Sequence, residues 1–172
     1  SLVGSEMCIR DRRRNTQAFE EVDLIPNVLK GVENIDISTE LMGKRISAPL
    51  FFSPTALQRL FHHQGEIAVG KAAQNFNTFF GISSLATASI EEIGEKFSSP
   101  KIFQMYIHKD KGLNDSMIEK CKINNFDALA ITLDTIVGGN RERDLRTGFT
   151  STPKLVFNSF LSYAFHPEWT LN

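Results

Sequence analysis

Residues 101–134 read KIFQMYIHKDKGLNDSMIEKCKINNFDALAITLD. The stretch opens on Lys101–Ile107, an apolar run of strand length. It closes on Phe126–Leu133, FDALAITL, which is apolar almost throughout. Between them, residues 115–124 set Met117, Ile118 and Cys121 on one helical stripe. Two continuous apolar strands joined by a helix form a parallel β-α-β unit with both sheet faces covered.

The same grammar extends upstream. Residues 46–53, ISAPLFFS, read as a buried strand stopped by the breaker Pro54. GEIAVGKAAQNF, 65–76, places Ile67, Ala68, Ala72, Ala73 and Phe76 on one helical stripe. TFFGIS, 78–83, is a second strand. Ser89 and Glu92 form a capping box, with Ser89 as cap and Glu92 reaching back, that opens a helix through about Phe97. NTQAFEEVDL, 15–24, reads as a short helix stopping before Pro26. Residues 1–14, SLVGSEMCIRDRRR, have neither helical nor strand periodicity, and 1–13 are expected to be a non-native or disordered leader. Its arginines form a solvated charge cluster.

The chain has 172 residues, 41% hydrophobic and 23% charged, which places it among globular proteins. Its 19 basic and 20 acidic side chains leave a charge of −1, so nothing electrostatic favours a nucleic-acid partner. Cys8 and Cys121 lie in no zinc-like spacing and read as reduced thiols of a cytosolic protein. No segment approaches the roughly 20 apolar residues of a spanning helix, and no apolar core of a signal peptide opens the chain.

Four strands alternate with three helices, with a unit of about 25 residues. A doubly wound nucleotide fold would carry a glycine-rich turn after its first strand. Here that turn is Pro54-Thr55-Ala56, so a (β/α) barrel is preferred. In barrels, polar residues at the C-terminal strand ends are the default site candidates. Those ends carry Pro54-Thr55-Ala56, Ser83-Ser84, Gln104 with Tyr106, and Thr132 with Asp134. Each alone reads first as a turn or cap residue; four polar ends in register point to a site. Hydroxyls, one amide and one carboxylate suit a planar ligand with several hydrogen-bonding groups. They do not suit a hard metal ion, and no metal site is assigned.

These residues carry a resemblance. RRNTQAFEEVDLIPNVL, APLFFSPTAL, HHQGE, GISSLATASIEEI, IFQMYIHKD, ALAITLDT and GGNRERDLRTGF stand in the order and spacing of the FMN-dependent α-hydroxy acid dehydrogenases. The chain resembles that family, which includes flavin-type L-lactate dehydrogenases, glycolate oxidases and mandelate dehydrogenases. The likeness implies an α/β fold, the N-terminal portion (about four β/α units) of a TIM (β/α)8 barrel. Residues 14–150 would be the partial barrel and 151–172 the loop after strand four.

The resemblance also implies roles. Pro54, Thr55 and Ala56 would lie along the flavin ring of FMN. Ser83, Gln104 and Thr132 would hydrogen-bond that ring system. Tyr106 would bind the substrate's hydroxyl or carboxylate, and Arg141 would approach the carboxylate. Asp134 would pair with a catalytic histidine that lies on a later strand of such barrels. None of His62, His63, His108 or His166 occupies that position. The chain is therefore expected to be a fragment without its base, inactive alone. The expected activity of the whole is FMN-dependent oxidation of an L-2-hydroxy acid, L-lactate first, with electrons passed to a quinone or cytochrome. Other FMN-barrel chemistry, of the isopentenyl diphosphate isomerase type, and a non-catalytic truncated product are the alternatives.

The tail, TPKLVFNSFLSYAFHPEWTLN, carries Phe157, Phe160, Leu161, Phe165 and Trp169. It fits either an interfacial segment with a tryptophan anchor or a loop packing on the barrel or a neighbouring subunit. The first reading implies peripheral membrane contact through 155–171, on the inner face of the plasma membrane of an otherwise cytoplasmic protein. The family implies a homo-oligomer.

Overall fold

The computed structural model describes residues 5–133, together with Leu145, Arg146, Gly148, Ala164 and Phe165, and side-chain surroundings from residue 13 onward. The chain divides into two units, Ser1–Asn34 with Thr135–Thr170, and Ile35–Asp134 with Leu171–Asn172. In the first unit, α1 spans Ser5–Glu20. It begins inside the stretch that reads as aperiodic and ends before the expected limit at residue 24. Periodicity is a poor guide there, because SEMCIRDRRRNTQAFE contains no glycine or proline and several good helix formers. Backbone propensity sets this helix without any apolar stripe.

The second unit opens with a hairpin, β1 (Thr39–Leu41) and β2 (Lys44–Ile46), paired antiparallel. Met42 (φ 50°) and Gly43 (φ 74°) make its two-residue turn, with left-handed backbone at both central positions. Ile46 thus ends a hairpin strand and does not start a long buried one. Next comes β3 (Phe52–Thr55), which includes Pro54 where a stop was expected. Proline is tolerated because the pairing of β3 with β4 shifts register between Phe52 and Thr55, where no regular ladder N–H is required.

The units α2 (Gly65–Asn75), β4 (Phe80–Ser83), α3 (Ile90–Lys96), β5 (Lys101–Tyr106), α4 (Lys111–Ile123) and β6 (Ala128–Thr132) follow. Strand order is β3-β4-β5-β6, and every neighbouring pair is parallel. Ser89 caps α3 by accepting the Glu92 N–H at 3.0 Å. The Glu92 carboxylate does not complete the expected box; it takes Arg59 at 3.2 Å and Lys96 at 3.1 Å. Asp110 caps α4 by accepting the Leu113 N–H at 3.3 Å, so the helix starts at Lys111, four residues upstream of the expected start.

The core forms where helices meet the sheet. Ala73, Phe80, Ile82, Ile93, Phe97, Phe103, Met105 and Cys121 are buried together. Phe76 falls outside this cluster and is exposed, because it is the cap residue beyond α2 and leaves the helical stripe. On the other face, Phe79 and Ile102 bury against Ile46 of the hairpin. The Cys121 thiol is pushed up to about 11, first by burial and then by the nearby Glu91 carboxylate. Lys101 is 2% exposed, and its ammonium donates to the carbonyls of Phe97 (2.8 Å) and Ser99 (3.2 Å).

In the full-length protein, Phe80→Ala should cost about 3–5 kcal/mol through lost burial and a cavity. Lys101→Met should cost about 1–3 kcal/mol by leaving buried carbonyls unpaired. Urea unfolding midpoints at constant slope check both.

Candidate functional site

Register decides which side chains meet. Gly81 pairs with Ile102, and Ser83 with Gln104. Gln104 in turn pairs with Ala130, and Tyr106 with Thr132. Successive side chains alternate across a sheet, so Ser83, Gln104, Tyr106 and Thr132 share the face opposite α2–α4. They also lie at the C-terminal ends of their strands.

Three of them form a hydrogen-bonded chain. The Ser83 hydroxyl donates to Gln104 Oε1 at 3.1 Å. Gln104 Nε2 donates to Thr132 Oγ1 at 2.7 Å. The Leu85 N–H donates to Ser83 Oγ at 3.1 Å, fixing the hydroxyl from the turn side. Gln104 is thereby oriented at both ends, since its oxygen accepts and its nitrogen donates. A second Gln104 amide hydrogen and the Thr132 hydroxyl hydrogen remain to meet a ligand.

The first strand end supplies a flat wall. A Cβ on Gly81 would stand 2.6 Å from Pro54 Cδ and 2.8 Å from the Phe52 carbonyl, so only glycine lets the Pro54 ring lie there. Beyond Pro54, Thr55 donates to the Ser53 carbonyl at 3.3 Å, and its own carbonyl accepts from Gln58 Nε2 at 3.3 Å. Ala56 follows, and Leu57 N–H donates to the Leu85 carbonyl at 3.0 Å. Pro54, Thr55, Ala56, Ser83, Gln104, Tyr106 and Thr132 therefore all stand at strand ends of one sheet. Asp134 and Arg141, and all of 155–171 but Ala164 and Phe165, lie outside the described residues.

Beneath these turns is a group that closes the HHQGE motif and to which the sequence reading gave no role. Glu66 is fully buried near the start of α2. It accepts from the Thr87 N–H at 2.8 Å, from the Thr87 hydroxyl, and from the Gln58 N–H at 3.3 Å. Burial pushes its carboxyl up, but the Thr87 side chain and the Thr87 and Gln58 amides together hold it below its ordinary value. The available signal was an acidic residue set directly beside the apolar stripe of a helix. No cluster of three or more His, Cys, Asp or Glu able to hold a metal occurs among the described residues. His62 and His63 stack on each other at 4.5 Å on the surface.

Residues 4–172 match the family model described as FMN-dependent dehydrogenase. The chain belongs to that family. It is 38% identical over 159 residues to L-lactate oxidase of Nostoc sp. (strain PCC 7120), covering 90% of this chain and 43% of the relative. Glycolate oxidase of Spinacia oleracea is 35% identical over 146 residues, covering 85% of this chain and 40% of the relative. Among solved structures, that of a monotopic membrane protein, (S)-mandelate dehydrogenase, superposes with a TM-score of 0.85 at 29% identity, covering 99% of this chain and 45% of that one. The chain thus spans about two fifths of the length of these curated relatives. Its parallel sheet and crossover helices are about four units of a (β/α)8 barrel.

FMN is the cofactor of this family. The donor set suits its ring system. One edge of that ring alternates acceptors with an N–H donor, and an amide flanked by hydroxyls can meet both kinds. The Pro54–Gly81 contact offers a flat neighbour for a planar ring.

Glu66 also sets a pH dependence. A carboxyl whose native pKa is depressed stabilises the fold above its ordinary value and loses that contribution as pH falls through the native value. Acidification should therefore lower the urea midpoint of the full-length protein more steeply than that of its Glu66→Gln variant.

Proposed function

We propose that the full-length protein oxidises an L-2-hydroxy acid, L-lactate foremost, to the 2-oxo acid with FMN, and passes the electrons to a quinone or cytochrome. The observation that carries this reading is the Ser83–Gln104–Thr132 chain at the C-terminal strand ends of an FMN-dependent dehydrogenase sheet. The named relatives act in support, since L-lactate, glycolate and mandelate are all 2-hydroxy acids.

On this reading Pro54, Thr55 and Ala56 line the flavin ring, and Ser83, Gln104 and Thr132 hydrogen-bond its polar edge. FMN, when bound, supplies the two-electron acceptor, and the protein supplies orientation and polarity. Tyr106, one pleat further along β5 than Gln104, reaches the substrate's hydroxyl or carboxylate. Arg141 neutralises the carboxylate and points Cα at the ring. Asp134 steadies the charge that a histidine base acquires on accepting the substrate proton. Residues 14–150 supply the first half of the barrel and 151–172 the loop after strand four. Residues 155–171 contact the inner face of the plasma membrane of a homo-oligomeric protein. The monotopic mandelate dehydrogenase supports that assignment. No helix among the described residues is long and apolar enough to cross a membrane.

Anaerobic addition of L-lactate to the full-length protein should bleach the visible flavin band, and a soluble quinone should restore it faster than oxygen does. Bleaching by no 2-hydroxy acid would overturn the reading. Gln104→Leu should weaken FMN binding about tenfold, the worth of a lost hydrogen bond to a polar ligand. Fluorescence titration of the apoprotein measures it.

A further inference from the structure

Glu66 is 0% exposed, yet among the described residues its charge is met by hydrogen bonds and by no Lys, Arg or His. An isolated buried carboxylate is costly unless its lone pairs are filled. Here the filling groups come from two separate turns. Gln58 lies in the turn after β3, two residues beyond Ala56. Thr87 lies in the turn after β4, two residues beyond Leu85. Each anchor therefore sits just downstream of a segment that stands at the candidate site.

Arg59 ties the same two turns from the outside. Its N–H donates to Thr87 Oγ1 at 3.3 Å and its guanidinium to the Thr87 carbonyl at 3.2 Å. The guanidinium also meets Glu92 at 3.2 Å, which leaves it pledged away from Glu66. Gly65 makes room for this arrangement. Its φ is +47°, and a Cβ there would stand 2.6 Å from Arg59 Cγ.

We propose that Glu66 is a positioning residue that sets the separation between the Pro54–Ala56 wall and the Ser83–Leu85 turn, and so the width of the slot that receives the flavin ring. This rests on the FMN reading given above. Glu66 touches no ligand; it acts through the Gln58 amide and through Thr87. One carboxylate oxygen, Oε1, accepts from the Gln58 N–H and the Thr87 N–H together, and Oε2 accepts from the Thr87 hydroxyl. An amide in its place loses the charge and turns hydrogens toward the Thr87 hydroxyl, so the bonds that hold both turns to the shared oxygen weaken together.

The test uses the full-length protein with Glu66→Gln, Thr87→Val and Thr87→Ser. Apoprotein titrated with FMN should show about tenfold weaker binding for Glu66→Gln and Thr87→Val, the scale of one lost charge-assisted hydrogen bond. Thr87→Ser, which keeps the hydroxyl, should restore near wild-type affinity. Amide hydrogen exchange without FMN should quicken in residues 56–60 and 85–88 together in Glu66→Gln. Wild-type FMN affinity in both Glu66→Gln and Thr87→Val, or quickened exchange in one turn alone, overturns the proposal. So does loss of folded protein in both variants, which would make the role purely structural. Failure of the wild-type protein to bind FMN would instead remove the functional reading, while the exchange measurement still decides the coupling of the turns.

Discussion

A parallel sheet can be continued only by carrying the chain back across one of its faces. That requirement organises the rest of the molecule. The return helices α2, α3 and α4 cover one face and demand apolar partners there, which Phe80, Ile82, Phe103 and Met105 supply. The other face is then free to differ along its length. Near the strand starts it is apolar, with Phe79 and Ile102 under the β1–β2 hairpin. Near the strand ends it turns polar, with Ser83, Gln104 and Thr132. Parallel register brings those ends level, so one pleat position on each strand is enough to assemble a site.

Most of this was legible in the sequence. The three complete crossover units show strong apolar runs and helical stripes, and tertiary packing agrees with local preference in each. The misreadings have physical causes. The segment 46–55 is mostly apolar, but it serves two sheets: Ile46 ends β2 of the hairpin, and Phe52–Thr55 form β3 of the parallel sheet. Pro54 looks like a stop because a regular central strand could not hold it; at the register shift between Phe52 and Thr55 its missing N–H costs no ladder bond. In α1 the backbone is helical on propensity alone, which a search for stripes does not detect.

The candidate site was legible as a set of strand ends but not as a network. Hydroxyls and an amide could be placed on one face by counting, whereas their hydrogen-bond order depends on side-chain directions. Glu66 was harder still. A carboxylate at a helix start reads as an ordinary favourable charge near the helix dipole. Only the folded arrangement shows that it is buried and that its partners belong to two turns distant in sequence.

The contact between Pro54 and Gly81 has a consequence for how such a sequence can drift. The proline ring occupies the volume in which any side chain at 81 would begin. Position 81 cannot accept a side chain, because its Cβ would meet the ring at 2.6 Å and the Phe52 carbonyl at 2.8 Å. Removing the ring does not free it, since the carbonyl belongs to the backbone of the neighbouring strand. Gly81 is thus held by strand spacing whatever residue stands at 54, whereas position 54 can change without a matching change at 81.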